Sequence, residues 1–340
     1  MPIETGQTLG DYEVIDLLES SKTGVTYKVR NVLLQRLEAL RVLPRTFQDD
    51  QERVTRFMRE AKLHARINHP NIVTFYHATQ LDGQLVMTTE LAEGTTLAQR
   101  LELGPLSSEE AVGCFSQVLR GLAQAHALGV VHRDLTPSNI ILTSEGRVKL
   151  TGFALAKATT DPQLTQPGTV MGSLDYISPE QVKGLSEVDA RTDIYSLGVV
   201  LYEAVTGRKP FVEKSQFEVM LAHVNSIPLA PSMVNPQVPA ELSDIILKAI
   251  AKHPACRFQT AEEFRQSLDQ LCAEPQTVSP PVAELAQADE PQVAVTPLSD
   301  AQEFDSPMPA EQWNSWGLLA AGVFIFLVFT WAFFVVLRRF

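Results

Sequence analysis

Residues 132–139 read His132-Arg133-Asp134-Leu135-Thr136-Pro137-Ser138-Asn139, which puts an imidazole, a guanidinium, a carboxylate, two hydroxyls and a carboxamide into eight positions. An aspartate can take or orient a hydroxyl proton, and a carboxamide oxygen is a ligand for a hard cation. Upstream, Glu19, Ser21, Lys22 and Gly24 share one turn region, with Arg41 and Glu60 further along the chain. Glycine lets backbone N–H groups approach an anion closely. An acid at such a place is unfavourable unless it points away. The cysteines, Cys114, Cys256 and Cys272, are far apart and form no C-x-x-C pair. They predict neither a zinc site nor a disulfide framework, but neutral thiols in a reducing compartment.

These groups need elements to hold them. Val14–Leu18 and Val25–Val29 flank the turn region and predict a hairpin. Ala39–Leu43 predicts a third strand, stopped by Pro44. Val54, Phe57, Met58 and Ala61 recur at helical spacing, and strands fit Ile72–His77 and Leu85–Thr89. Beyond residue 100 helices dominate. Ser107 with Glu110, and Thr260 with Glu263, predict capping boxes, and Gly129 suits the end of the first of these helices. Ile194–Val205 is apolar nearly all round, which marks a buried helix, with Gly207 at its end. Strands followed by helices predict an α+β fold in two lobes, about 11–92 and about 93–272.

The rest of the chain differs in composition. Residues 273–312 are rich in Pro, Ala, Gln and acids and contain no Lys or Arg, which predicts a disordered linker. Residues 317–337 carry no charge, and a helix of that length is roughly 32 Å, against a hydrocarbon core of about 30 Å. Trp313 and Trp316 before it and Arg338 and Arg339 after it suit the two interfaces. A single-pass membrane helix is the expectation. No basic stretch followed by an apolar one opens the chain, so no secretory signal is predicted. The two terminal arginines favour the opposite orientation by a positive-inside count. The folded domain is nonetheless expected in the cytoplasm, because passing the short tail across a bilayer is far easier than passing the domain. The net charge is −12 with no Lys/Arg-rich run, so nucleic acid is not an expected partner.

The octapeptide His132–Asn139 resembles the catalytic loop of protein kinases, and its companions follow in the family's order. His69-Pro70-Asn71-Ile72-Val73 resembles the segment after the family's first helix. Ser178-Pro179-Glu180 resembles the A-P-E motif, with Gly172 and Tyr176 placed as in the family. Asp193-Ile194-Tyr195-Ser196-Leu197-Gly198 resembles its buried helix, and Arg257 the arginine that pairs with the A-P-E glutamate. The resemblance spans 11–272 and is strongest to eukaryotic-type bacterial Ser/Thr kinases. It implies a two-lobed fold, an ATP site and Asp134 as the group that orients the substrate hydroxyl. Asn139 would be a metal ligand and Arg133 a link to the activation segment. Ala39, Glu90, Ala92 and Ile141 fall among the residues implied around the nucleotide.

The departures from that pattern fall on the phosphate-handling groups. Glu19 and Ser21 replace the first two glycines of the glycine-rich loop, Gly24 being the third, and Thr26 stands for its valine. Arg41 replaces the strand lysine; it can pair with Glu60, but a forked guanidinium is no substitute for a compact ammonium. Lys22 is an alternative phosphate contact, as in the with-no-lysine kinases. Gly152-Phe153-Ala154 stands where D-F-G belongs, so the magnesium ligand is missing, and Thr136 replaces the loop lysine. Phosphoryl transfer depends on positioning and on charge neutralisation. The leading expectation is therefore a membrane-tethered pseudokinase in signalling, binding ATP with weak or no Mg2+ and partnered by signalling proteins, an active kinase among them. The alternatives are an active kinase with unconventional nucleotide handling and an ATP-binding sensor without transfer.

Overall fold

Alternating apolar positions build the first half of the molecule. In the computed structural model, β1 (Thr8–Leu9), β2 (Tyr12–Ser21), β3 (Gly24–Asn31), β4 (Arg36–Val42), β5 (Phe75–Leu81) and β6 (Gln84–Glu90) form an antiparallel sheet in the order β1-β2-β3-β4-β6-β5. The structure describes residues 3–21, 24–43, 50–153, 157–158, 174–184 and 188–273, all within one compact unit, Met1–Thr277. Helix α1 (Gln51–His64) follows β4. Side chains alternate across a strand, so β4 serves two surfaces. Leu40 and Val42 pack outward with Tyr12, Val14, Tyr27, Val29 and Val86. On the other face, Met87 and Leu43 meet Phe57 and Ala61 of α1. Arg41 is on that face too, in register with Met87 of β6. Glu38 turns to the outer face, fully buried, with its carboxylate 2.8 Å from the Arg36 guanidinium.

One expected strand is displaced. Ile72–His77 does not run as a single strand: β5 begins at Phe75, and Ile72 bridges to Leu150 instead. The Leu150 N–H donates to the Asn71 carbonyl, and the Val73 N–H to the Leu150 carbonyl. The Asn71 amide also donates to the Val148 carbonyl at 2.8 Å. Residues 71–73 therefore tie the strand-rich lobe to the helical one, a tertiary demand that local apolar alternation does not reveal.

The second lobe contains β7 (Gly94–Thr96), α2 (Leu97–Leu101), α3 (Ser108–Ala127), β8 (Val130–Val131), β9 (Ile140–Thr143), β10 (Val148–Leu150), β11 (Lys157–Ala158), α4 (Pro179–Val182), α5 (Ala190–Thr206), α6 (Gln216–Asn225), α7 (Pro231–Val234), α8 (Ala240–Ala249) and α9 (Ala261–Ala273). The Ser107–Glu110 capping box is formed in both directions. At α9 only half forms: the Glu263 N–H donates to the Thr260 hydroxyl, while the Glu263 carboxylate takes the Gln259 N–H one residue further back. Helix α5 is buried along most of its length and ends at Gly207 in the left-handed region. It is the axis of a core shared with α3, α8 and α9.

Two buried acids hold the loops to this core. Asp193 of α5 accepts from the N–H groups of His132 and Arg133, both at 2.8 Å, and pairs with His126 at 2.7 Å. Burial would raise the Asp193 carboxyl, but these partners bring it below the usual carboxylate range. They also hold Arg133 at φ 70°, a left-handed conformation unusual for a side-chain-bearing residue. Glu180 makes a two-pronged pair with the buried Arg257, at 2.7 and 2.9 Å. Among the described residues no helix is long and apolar enough to cross a membrane. The expected linker beyond Ala273 and the apolar run 317–337 lie outside the described residues.

Candidate functional site

Between the lobes lies a cavity of about 560 Å3. Its lining includes Glu19, Ala39, Arg41, Glu60, Glu90, Ala92, Asn139, Ile141 and Gly152, all singled out by the sequence. Glu19 comes from β2, Ala39 and Arg41 from β4, and Glu60 from α1. Ser21 closes the β2–β3 hairpin opposite Gly24 in the ladder. Lys22 lies outside the described residues, as do Ala154, Gly172 and the threonines at 159, 160, 165 and 169.

Arg41 is committed to α1. Its Nη1 lies 2.5 Å from Glu60 Oε1, and both side chains are largely buried. Burial holds the Glu60 carboxyl above its usual range; the Arg41 guanidinium opposes that shift and Glu19 adds to it. The arginine side chain also lies against the loop above. A Cβ on Gly24 would stand 3.0 Å from Arg41 Nε and 3.5 Å from its Cγ. Glu90 lines the cavity, but its carboxylate is engaged by Lys149 Nζ at 2.8 Å and by the Thr74 N–H and hydroxyl. Burial would raise that carboxyl, yet Lys149 and Thr74 bring it below the ordinary range. The N–H and C=O of Ala92 carry no hydrogen bond among the described residues.

On the opposite wall, Asn139 donates from Nδ2 to the Asp134 carbonyl at 2.8 Å. Gly152 faces it with φ +87°, and a Cβ there would lie 2.4 Å from Asn139 Cγ and 2.5 Å from Oδ1. The carboxamide thus occupies the volume in which a side chain at 152 would begin. Among the described residues, no three His, Cys, Asp or Glu side chains converge as a metal site. A divalent cation on the phosphates, as the family resemblance implies, does not fit this donor set: Asn139 is the one expected ligand present, and no carboxylate faces it from residue 152.

Phe153 beside Gly152 is fully packed. Its ring stacks on His64 of α1, with centroids 5.2 Å apart, and meets His132 at 4.7 Å. His64 Nε2 hydrogen-bonds the Val73 carbonyl at 2.8 Å, and burial lowers the imidazole to about 4. This column of rings connects α1 to the catalytic-loop peptide.

A second cavity of about 450 Å3 adjoins the first and is lined by Asp134, Thr136, Asn139, Glu19, Asp175 and Glu203 among others. Asp134 and Thr136 face this volume rather than the interlobe one. Arg133 reaches the Val188 carbonyl at 3.2 Å.

A model of the protein kinase domain matches residues 12–269. The chain belongs to the protein kinase family. This kinase-family chain is 35% identical over 260 residues to the serine/threonine-protein kinase PrkC of Bacillus subtilis, covering 76% of itself and 40% of PrkC. It is 37% identical over 272 residues to PknB of Mycolicibacterium smegmatis, covering 78% and 43% of the two chains. It spans about two fifths of the length of such curated relatives. The crystal structure of the Mycobacterium tuberculosis PknI kinase domain superposes with a TM-score of 0.62 at 28% identity, covering 80% of this chain and all of that one. The eukaryotic-type bacterial Ser/Thr kinases are thus its relatives, and its interlobe cavity is the family's ATP cleft.

Several lining residues of this kinase cleft escaped the sequence reading: Leu18, His64, Val73, Met87, Thr89 and Gln99. Two had a signal. Leu18 precedes Glu19 on the same strand, and His64 lies one helical step, four residues, beyond Glu60 on the same face of α1. The others depend on how the lobes close.

Proposed function

We propose that this kinase-family chain is impaired in phosphoryl transfer and works in signalling by binding other proteins, an active kinase among the candidate partners. The observation that carries this reading is the Gly152–Asn139 contact. The position that should supply a carboxylate has no side chain, and a carboxamide fills its space. Two further features support it. Arg41 is bound to Glu60, and Thr136 brings no charge to the second cavity. Catalysis of this kind is charge neutralisation plus positioning, and here the neutralising half is depleted while the scaffold is kept. The Glu180–Arg257 pair, the Asp193 hydrogen bonds and the ring column are all in place.

The same preserved scaffold favours a second reading. Asp134 and Asn139 lie together, and the Arg41–Glu60 pair holds α1 against the sheet. That arrangement suits a slow kinase that uses nucleotide in an unconventional way, or a sensor that binds ATP without transferring phosphate. A thermal-shift titration with ATP, with and without Mg2+ or Mn2+, separates these readings. The impaired reading expects no metal-dependent stabilisation. A saturable metal-dependent rise with no accompanying transfer would replace it with the sensor.

Membrane attachment is part of the proposal. Its support is the charge-free run 317–337 with tryptophans before it and arginines after it. The kinase-like part would then sit in the cytoplasm on a tether of residues 273–312, reaching roughly 30–40 Å if flexible. Truncation at residue 312 should release the protein into the soluble fraction, and retention in the membrane would count against the anchor.

A further inference from the structure

We infer that the interlobe cavity takes a purine nucleoside, in preference to a nucleoside triphosphate and without a divalent cation. The inference rests on the reading of the chain as impaired in phosphoryl transfer, and it adds the class of ligand that remains. The two parts of the cavity differ in what they offer.

The part formed by Leu18, Ala39, Met87 and Ile141 is apolar and suits a flat heterocycle. Ala92, on the same lining, has its backbone donor and acceptor uncommitted among the described residues. The Glu90 carbonyl beside it accepts only a 3.3 Å bond from the Thr89 hydroxyl among the described residues. A base with an amino group next to a ring nitrogen can satisfy such an edge. Gln99 and Ser138 are neutral polar groups on the lining that suit sugar hydroxyls.

The phosphate part is filled and lacks free positive charge. The Arg41 side chain lies against Gly24, in the space beneath the loop, and its guanidinium is bound to Glu60. The Asn139 carboxamide fills the space at Gly152. Of the charged side chains on the lining, Glu60 is paired with Arg41 and Glu90 with Lys149, and Glu19 adds a further negative charge beside Glu60. A triphosphate entering here meets occupied volume and a net negative wall. A nucleoside leaves both obstacles untouched.

Calorimetric titration of the purified full chain with adenosine, ADP and ATP, each with and without millimolar Mg2+, tests this. Adenosine should bind about tenfold or more tightly than ATP, with ADP between them, and Mg2+ should change none of the three by more than about twofold. Glu19→Gln should narrow the gap by raising ATP affinity about three- to tenfold relative to adenosine. Tighter binding of Mg·ATP than of adenosine overturns the inference, as does ATP binding that depends on Lys22 and vanishes in Lys22→Ala. Absence of binding by all three ligands also overturns it. Phosphoryl transfer is scored in the same preparations. Tight Mg·ATP binding without transfer removes the nucleoside preference and leaves the impaired reading standing, whereas transfer removes the impaired reading itself.

Discussion

Adding one methyl group at residue 152 measures how far Asn139 has taken over the vacant volume. Gly152→Ala places a Cβ at φ +87°, which for an L side chain costs about 1–2 kcal/mol in backbone strain. The methyl would also lie 2.4 to 2.6 Å from the three terminal atoms of the Asn139 side chain. Asn139 must turn away, and its hydrogen bond to the Asp134 carbonyl, worth about 0.5–1.5 kcal/mol, is lost or weakened. Together these give a loss of about 2–3 kcal/mol, or roughly 5–10 °C in Tm for a domain of this size. Urea unfolding of the wild type, Gly152→Ala, Asn139→Ala and the double variant separates the two terms. With Asn139 trimmed, only the backbone cost remains, so the cycle should show a coupling of about 1 kcal/mol. An equal loss from Gly152→Ala in both backgrounds would refute the claim that the carboxamide occupies this space. The same contact bears on repair. Gly152→Asp with Arg41→Lys supplies charges suited to a metal-bound triphosphate, but the new carboxylate meets the same carboxamide, so Mg2+-dependent ATP affinity should rise only when Asn139 can turn aside.

Other consequences can be measured independently. His64 is depressed from the ordinary 6.5 to about 4, so the unfolded chain binds its proton first and stability is lost as pH falls below 6.5; at pH 5 the loss is about 2 kcal/mol. His64→Met should therefore reduce the drop in stability between pH 7 and pH 5 by about that amount, and an unchanged pH profile would contradict the buried neutral imidazole. Arg257→Met leaves the buried Glu180 carboxylate without its two-pronged partner and should cost about 3–5 kcal/mol by urea unfolding; a loss under about 1 kcal/mol would mean that the pair is not closed in solution. Protease added to intact cells should leave residues 11–272 uncut, and their digestion in sealed cells would reverse the proposed topology.

Much of the fold could be read from local chemistry because that chemistry is repeated across scales. The capping box at Ser107, the apolar run Ile194–Val205 and the glycine at 207 each specify a helix boundary or burial without reference to distant residues. Ile72–Val73 could not be read that way. Their apolar side chains fit a strand, but their backbone partners lie near Leu150, which only the packed lobes bring into reach. The site divides along the same line. Residues such as Asp134, Arg41 and Gly152 stand out because a residue type is kept or replaced at a motif position. Thr89, Met87 and Gln99 line the cavity through placement alone, and nothing in their type announces it. The sequence also shows that Gly152 lacks a carboxylate, but not that Asn139 moves into the gap. That is a side-chain packing outcome, and it turns a missing ligand into a filled space.

Phosphoryl transfer itself is the most direct test. The purified full chain is incubated with γ-labelled ATP and a basic protein substrate, with Mg2+ or Mn2+, beside Asp134→Asn prepared in the same way. Incorporation into the chain and into the substrate should be the same for both proteins, at the level of a no-enzyme control. Metal-dependent incorporation by the wild type that disappears in Asp134→Asn would contradict the claim that this kinase-family cleft is impaired in transfer.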